Sequence, residues 1–241
     1  MEVKETGIRC FLEVPDLISL LNLSFGFLAI LMAINNQFNF SAMFIIIALA
    51  FDSVDGWVAR KLSRVDKYGF GKNIDSLSDV VSFGVAPGIL LYSMGTGFSL
   101  EISYLTTAIA LFIVICGVLR LTRFNVIADF IDFNGFIGLP IPVTGFLLAI
   151  FLLSGFFSIG DINSIIVAII LMVIVGILMI SNLKYAKLNN PTLLPIFVIL
   201  VVLLFIPFPI EFMGINIPAA ILFIITMGYI FIGFIKNYLP N

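Results

Sequence analysis

Apolar residues run along this chain in blocks of about spanning length, separated by short polar breaks, and few helical stretches show the alternation of faces expected in water. A bilayer core of roughly 30 Å needs about 20 residues of helix. On that measure the pattern predicts eight spans: Leu17–Ala33, Phe38–Leu62, Ile74–Met94, Tyr104–Arg123, Leu139–Phe157, Ile162–Met179, Leu193–Ile206 and Ile215–Ile235. The seventh is short and bounded by Pro195 and Pro207. The mixed-charge N-terminus MEVKETGIRC leads into the first span with no small-residue cleavage site after it, which predicts an uncleaved helix and not a signal peptide.

Basic residues orient the spans. Lys and Arg in short loops stay on the cytoplasmic side. With the N-terminus inside, Lys4 and Arg9, then Arg60, Lys61, Arg64, Lys67 and Lys72, then Arg120 and Arg123, then Lys184 and Lys187, and finally Lys236 all fall on that side, which accounts for all 12 Lys and Arg. The opposite loops carry only Glu101, Asp161 and Glu211. The expectation is an all-α integral membrane protein: a bundle of about eight transmembrane helices, one domain over 1–241, both termini cytoplasmic. No internal repeat, heptad run or low-complexity tract is present.

Composition sharpens the class. Of 241 residues, 61% are hydrophobic and 11% charged, and the mean hydropathy of +1.23 lies far outside the range of soluble domains. A net charge of -2 argues against a nucleic-acid partner, since a polyanion needs a basic surface. With no His and two separated Cys, Cys10 and Cys116, neither a zinc constellation nor a disulfide framework can be built.

Against this background the stretch FDSVDGWVARKLSRVDKYGFGKNIDSLSDVVSFGVAPG, residues 51–88, is anomalous. It holds Asp52, Asp55, Asp75 and Asp79 in segments otherwise fit for lipid. The apolar run before Asp52 is too short to cross alone, so the second helix must continue through both acids to the basic loop. Asp52 and Asp55 are three apart, Asp75 and Asp79 four apart, so each pair occupies one helix face. The third helix leaves the same loop in the opposite direction, which allows the four carboxylates to face one another.

Such a cluster needs neutralising. Two unit charges about 4 Å apart repel by roughly 4 kcal/mol at an effective dielectric of 20. Protonation, pairing with Arg60 or Lys72, and binding of divalent cations are the available remedies. All-carboxylate ligation suits Mg²⁺, Mn²⁺ or Ca²⁺ and not zinc or copper, and four acids can hold two such ions in the arrangement that clamps phosphoryl groups. A single intramembrane Asp commonly serves as a helix–helix hydrogen-bonding device. Two pairs with Gly56 beside them favour the cation site. Gly56 and, one turn on, Ala59 leave a nearly bare helix surface where a flat ligand can approach the backbone. A cation transporter also places acids in a membrane, but such sites lie near the midplane between repeated halves, whereas these acids crowd one interface.

Asp52-x2-Asp55-Gly56-x2-Ala59-Arg60, followed by Gly71-x3-Asp75-x3-Asp79, resembles the signature of the CDP-alcohol phosphatidyltransferases at all eight specified positions. Ten residues separate Arg60 from Gly71, where the family usually has eight. Taking Gly69 instead would restore that spacing but put Asn73 and Leu77 where acids belong, so Gly71 is the motif glycine and the loop is longer. DSLSDVVSFGVAPG from Asp75, LRLTRFNV from Leu119 and GLPIPVTG from Gly138 are similar to the phosphatidylserine synthase branch. PDLISLLNLSFG resembles that branch's opening Pro-Asn-x-x-Thr-x-x-Asn-x-x-x-Gly, with Asp16 and Ser19 as replacements and Asn22 and Gly26 kept. The motif core spans about 15–145, and the likeness extends over about the first 190 residues.

The resemblance implies a CDP-linked lipid donor, CDP-diacylglycerol or CDP-archaeol, and an alcohol acceptor, L-serine in this branch, with CMP leaving. It implies two divalent cations, Mg²⁺ or Mn²⁺ with Ca²⁺ also eligible, held by Asp52, Asp55, Asp75 and Asp79. Asp79 is expected to take the acceptor proton as well. Asn22, Gly56, Ala59, Arg60 and Gly71 are expected at the donor nucleotide. Serine needs a cation for its carboxylate and an acceptor or aromatic face for its ammonium. Arg120 and Arg123 can offer planar forks, with plain positive-inside anchoring as the alternative, and Ser82 continues the Asp75, Ser78, Asp79 face. Glycerol-3-phosphate and inositol phosphate are rival acceptors that would want a denser basic pocket. A homodimer in the cell membrane, with its active site on the cytoplasmic face, completes the expectation.

Overall fold

The computed structural model describes residues 7–62, 66, 68–127, 135–155, 161–186, 193–206, 211–212 and 214–238. Lys4, Arg64, Lys67, Lys187 and the end of the fifth predicted span at Phe157 lie outside the described residues. The first rod, α1, covers Val14–Ile34. It starts on a reciprocal cap: the Glu13 side chain takes a backbone N–H of the first turn while Asp16 Oδ2 accepts from Glu13 N at 2.9 Å, with Pro15 at a position where its missing N–H costs nothing. Its buried stripe is small or polar, Asp16, Ser19, Asn22, Gly26, Ala29 and Ala33, while Leu17, Leu21, Phe27 and Leu31 face outward. That inversion is the mark of a helix packed by small residues and solvated by lipid.

A tight turn through Asn36, at φ 59, reverses the chain into α2, Phe38–Lys61, which runs antiparallel beside α1. It ends in Arg60 and Lys61, cations that suit a helix C-terminus. The third rod is continuous over Phe70–Gly95 but not uniform. It comprises α3, Phe70–Asp79, a π-helical turn Val80–Val85, and α4, Ala86–Gly95. The widened turn ends two residues before Pro87, which has no N–H to donate to the carbonyl four residues back, that of Phe83. Then come α5, Leu100–Ile127, α6, Ile141–Leu153, α7, Ile162–Ile180, α8, Leu193–Leu203, and α9, Ile217–Tyr238.

All eight predicted spans contain a helix, but among the described residues six of these are long and apolar enough to cross a membrane. The fifth, α6, has 13 residues, about 20 Å of rise. It is cut short by Pro140 in extended conformation at one end and Gly155 at φ 69 at the other. Its position explains its sequence: no residue of it is exposed, with Thr144, Gly145 and every residue from Phe146 to Leu152 buried. α2, α7, α9 and the π turn surround it. The described part of the seventh span, α8, has 11 residues. The protein is therefore a multi-pass, all-α membrane protein whose core lies on α6.

Two short antiparallel ladders tie loops together. Strands β1, Phe136–Ile137, and β2, Lys184–Tyr185, pair with Phe136 opposite Tyr185. Strands β3, Glu211–Phe212, and β4, Ile215–Asn216, form the second ladder. Gly138, at φ 78, lets the chain leave β1: a Cβ there would collide with Met179 O and the Arg123 guanidinium.

Candidate active site

The end of α2 and the start of α3 meet where the loop between them begins and ends. Asp52, Asp55 and Asp75 each offer a carboxylate oxygen, and these atoms all lie within 4.8 Å of one another. Asp79, one turn further along α3, lies beside Asp52. The two pairs therefore do face each other. Asp55 and Asp79 are buried and Asp52 and Asp75 half-buried. The donor set is oxygen alone, and this triad can hold a hard divalent cation.

The first helix supplies a second layer. Ser19 Oγ donates to Asp55 Oδ2 at 2.6 Å, and Asn22 Nδ2 donates to Asp79 Oδ1 at 3.2 Å. Asn22, expected near the nucleotide, thus contacts a carboxylate, and its Oδ1 has no partner among the described residues. Ser82 is fully buried and donates to Asn22 O at 3.0 Å. A side chain at Gly26 would collide with Ser82, so Ser82 and Gly26 together set how closely α1 approaches the π turn. Ser19 has no role in a reading by acidic spacing. Its signal is a polar residue on the same small-residue stripe as Asn22.

α3 is held by α5. Lys72 Nζ donates to Asn125 O at 2.6 Å, and Asn125 Nδ2 donates to Ser76 Oγ at 2.8 Å. The Asp66 carboxylate accepts from Lys72 N at 2.9 Å, securing the start of α3. These contacts fix the azimuth of the face that carries Asp75 and Asp79.

Gly56 lies half-buried beside Asp55, and among the described residues a Cβ there would meet only Arg60 Nη1, at 3.4 Å. Ala59 is half-buried, Arg60 exposed and Gly71 buried at the first turn of α3. This leaves open helix surface next to the acids.

The two arginines of α5 part company. Arg120 is 5% exposed and interacts electrostatically with Asp79 and Asp52. Its guanidinium carbon lies 5.2 Å from the Phe124 ring centroid and 5.8 Å from that of Phe136. Arg123 turns to the end of α7. Its two terminal nitrogens donate to the carbonyls of Ile137, Met179, Ile180 and Ser181 at 2.9–3.0 Å and to Asn182 Oδ1 at 3.3 Å. On the carbonyls of Met179, Ile180 and Ser181 this cation caps the C-terminus of α7, and its bond to Ile137 O ties that end to β1. Arg123 was expected at the acceptor; its fork is already filled by backbone.

A cluster of carboxylates among apolar helices, bordered by a bare glycine surface and one buried arginine, could hold a divalent cation. The chain belongs to the CDP-alcohol phosphatidyltransferase family, which it matches over residues 12–180. It is 44% identical over 188 residues to the archaetidylserine synthase of Methanothermobacter thermautotrophicus, covering 78% of this chain and 76% of that one. It is 39% identical over 203 residues to the CDP-diacylglycerol–serine O-phosphatidyltransferase of Methanocaldococcus jannaschii, covering 84% and 88%. A Bacillus subtilis protein of the latter name is 36% identical over 137 residues, 57% of this chain and 73% of that one.

Proposed function

We propose that this protein transfers the phosphatidyl group of a CDP-linked diradylglycerol to the hydroxyl of L-serine, releasing CMP. The observation that carries the reading is the meeting of three carboxylate oxygens within 4.8 Å beside Asp79, in a family defined by CDP-alcohol chemistry. Relatives named for serine as acceptor support that choice. Their names differ in the lipid, archaetidyl or diacylglycerol, and an apolar surface suits either.

Asp52, Asp55 and Asp75, with Asp79 as the fourth carboxylate, would hold two divalent cations, Mg²⁺ or Mn²⁺. When bound, such ions neutralise the pyrophosphate and stabilise charge on the departing nucleotide. The protein's own residues then do the rest. Gly56 and Ala59 admit the cytidine to the backbone of α2, with Arg60 and Gly71 at its margin. Ser19 and Asn22 hold Asp55 and Asp79 in place. Asp79, the deeper acid of α3, takes the proton of the attacking hydroxyl as a bond forms from the serine oxygen to the β-phosphorus and the bond to CMP breaks. Arg120 offers its guanidinium to the acceptor carboxylate. The distribution of Lys and Arg supports a cytoplasmic face for the reaction, and the family resemblance supports a homodimer of single-domain chains.

The test is direct. Purified protein given CDP-diacylglycerol or CDP-archaeol, Mn²⁺ and labelled serine is expected to release CMP and form a serine lipid, and to stop on chelation. Serine-independent CMP release, or transfer to glycerol-3-phosphate in preference to serine, would overturn the acceptor assignment.

A further inference from the structure

Among the described residues, four buried side-chain polar atoms lack a hydrogen-bond partner: Asn22 Oδ1, Ser41 Oγ, Arg120 Nε and Tyr185 Oη. Leaving such a group unsatisfied costs about 1–3 kcal/mol, and natural proteins keep few of them without a reason. Two of the four belong to residues that flank the Phe136 ring. Tyr185 is 1% exposed and stands directly across the β1–β2 ladder from Phe136, so the two side chains share a face. Arg120 lies against that same Phe136 ring. The Tyr185 ring is therefore next to the aromatic wall on which the buried guanidinium rests.

The last helix builds the other side. The Tyr229 ring lies 5.7 Å from the Tyr185 ring, and its hydroxyl donates to Ala186 O at 3.2 Å, fixing α9 to the strand that carries Tyr185. Gly233, one turn on, has no room for a side chain: a Cβ there would collide with the Tyr185 ring. Tyr185, Tyr229 and Gly233 all lie beyond residue 180, where the match to the family ends. What the family shares is CDP-alcohol chemistry, so a part of the chain outside the shared region is a reasonable place for acceptor choice.

Resting on the serine reading above, we propose that Tyr185 is a specificity-determining residue: its hydroxyl and the Arg120 guanidinium together seat the carboxylate of an amino-acid acceptor, whose own hydroxyl then points toward Asp79. Tyr229 and Gly233 are positioning residues that hold the Tyr185 ring. The carboxylate supplies the partner that the Arg120 N–H and the Tyr185 O–H lack, both as charge-assisted bonds.

Tyr185→Phe separates this from a packing role, because it removes only an unpartnered hydroxyl from the fold and should leave thermal unfolding unchanged or slightly raised. Full-length protein in detergent would be assayed for CMP release with CDP-diacylglycerol and Mn²⁺ against serine and against ethanolamine, which lacks the carboxylate. Loss of one hydrogen bond to a charged group predicts a serine KM raised roughly tenfold or more, an unchanged KM for the CDP-lipid, and a narrowed preference for serine over ethanolamine. An unchanged serine KM, or equal rises in both KM values, would overturn the assignment. If the wild-type protein released CMP without need of serine, the acceptor reading itself would fall, and with it this one; a serine-dependent wild type beside an indifferent Tyr185→Phe would sink this proposal alone.

Discussion

Ser19 on α1 donates a 2.6 Å hydrogen bond to Asp55 on α2, across 36 residues of chain. A helix with no acid in the metal-binding signature is thereby part of the acidic centre. A hydroxyl held on a carboxylate limits its rotation and leaves its other oxygen for a cation, the arrangement by which outer groups orient ligands.

Ser19→Ala should therefore weaken cation activation and leave the fold intact. The Mn²⁺ concentration for half-maximal CMP release should rise about tenfold, within the range seen when such supporting groups are lost. An unchanged Mn²⁺ dependence would show that the bond orients nothing.

Asp79→Asn keeps the shape and can still accept from Asn22, but it cannot take a proton. Transfer should fall by at least about a hundredfold, the contribution of a positioned base, with CDP-lipid binding largely kept. Titration of binding beside single-turnover CMP release distinguishes the two, and an active Asn variant would remove Asp79 as the base.

Gly56→Leu adds a side chain where a Cβ meets only the Arg60 guanidinium at 3.4 Å. Folding should tolerate it, since no neighbouring helix is struck. The CDP-lipid KM should rise steeply while serine KM stays level; normal donor affinity would place the nucleotide elsewhere.

Arg123→Gln should act on stability. It removes bonds to the carbonyls of Ile137, Met179, Ile180 and Ser181. Bonds made by a charged group are worth about 1.5–3 kcal/mol each, so the thermal midpoint in detergent should drop by several degrees. Serine KM should not move selectively; if it does, Arg123 reaches the acceptor after all.

Much of this was legible in the residues alone. Hydropathy and helical spacing are local properties, so the apolar runs, the multi-pass class, and the pairing of Asp52 with Asp55 and of Asp75 with Asp79 follow from the chain without knowing what it touches. The antiparallel meeting of two helices joined by a short loop follows from connectivity. Tertiary packing decided the rest. Arg120 and Arg123 are three apart on one helix, and only the neighbours of α5 send one guanidinium toward the acids and the other to the end of α7. Likewise nothing in the order of residues says that Ser19 and Asn22 will each find a carboxylate 36 and 57 positions away, or that Tyr185 will be closed in by Gly233. Those partnerships depend on how closely small residues such as Gly26 let helices approach, a property of two surfaces together that neither surface carries by itself.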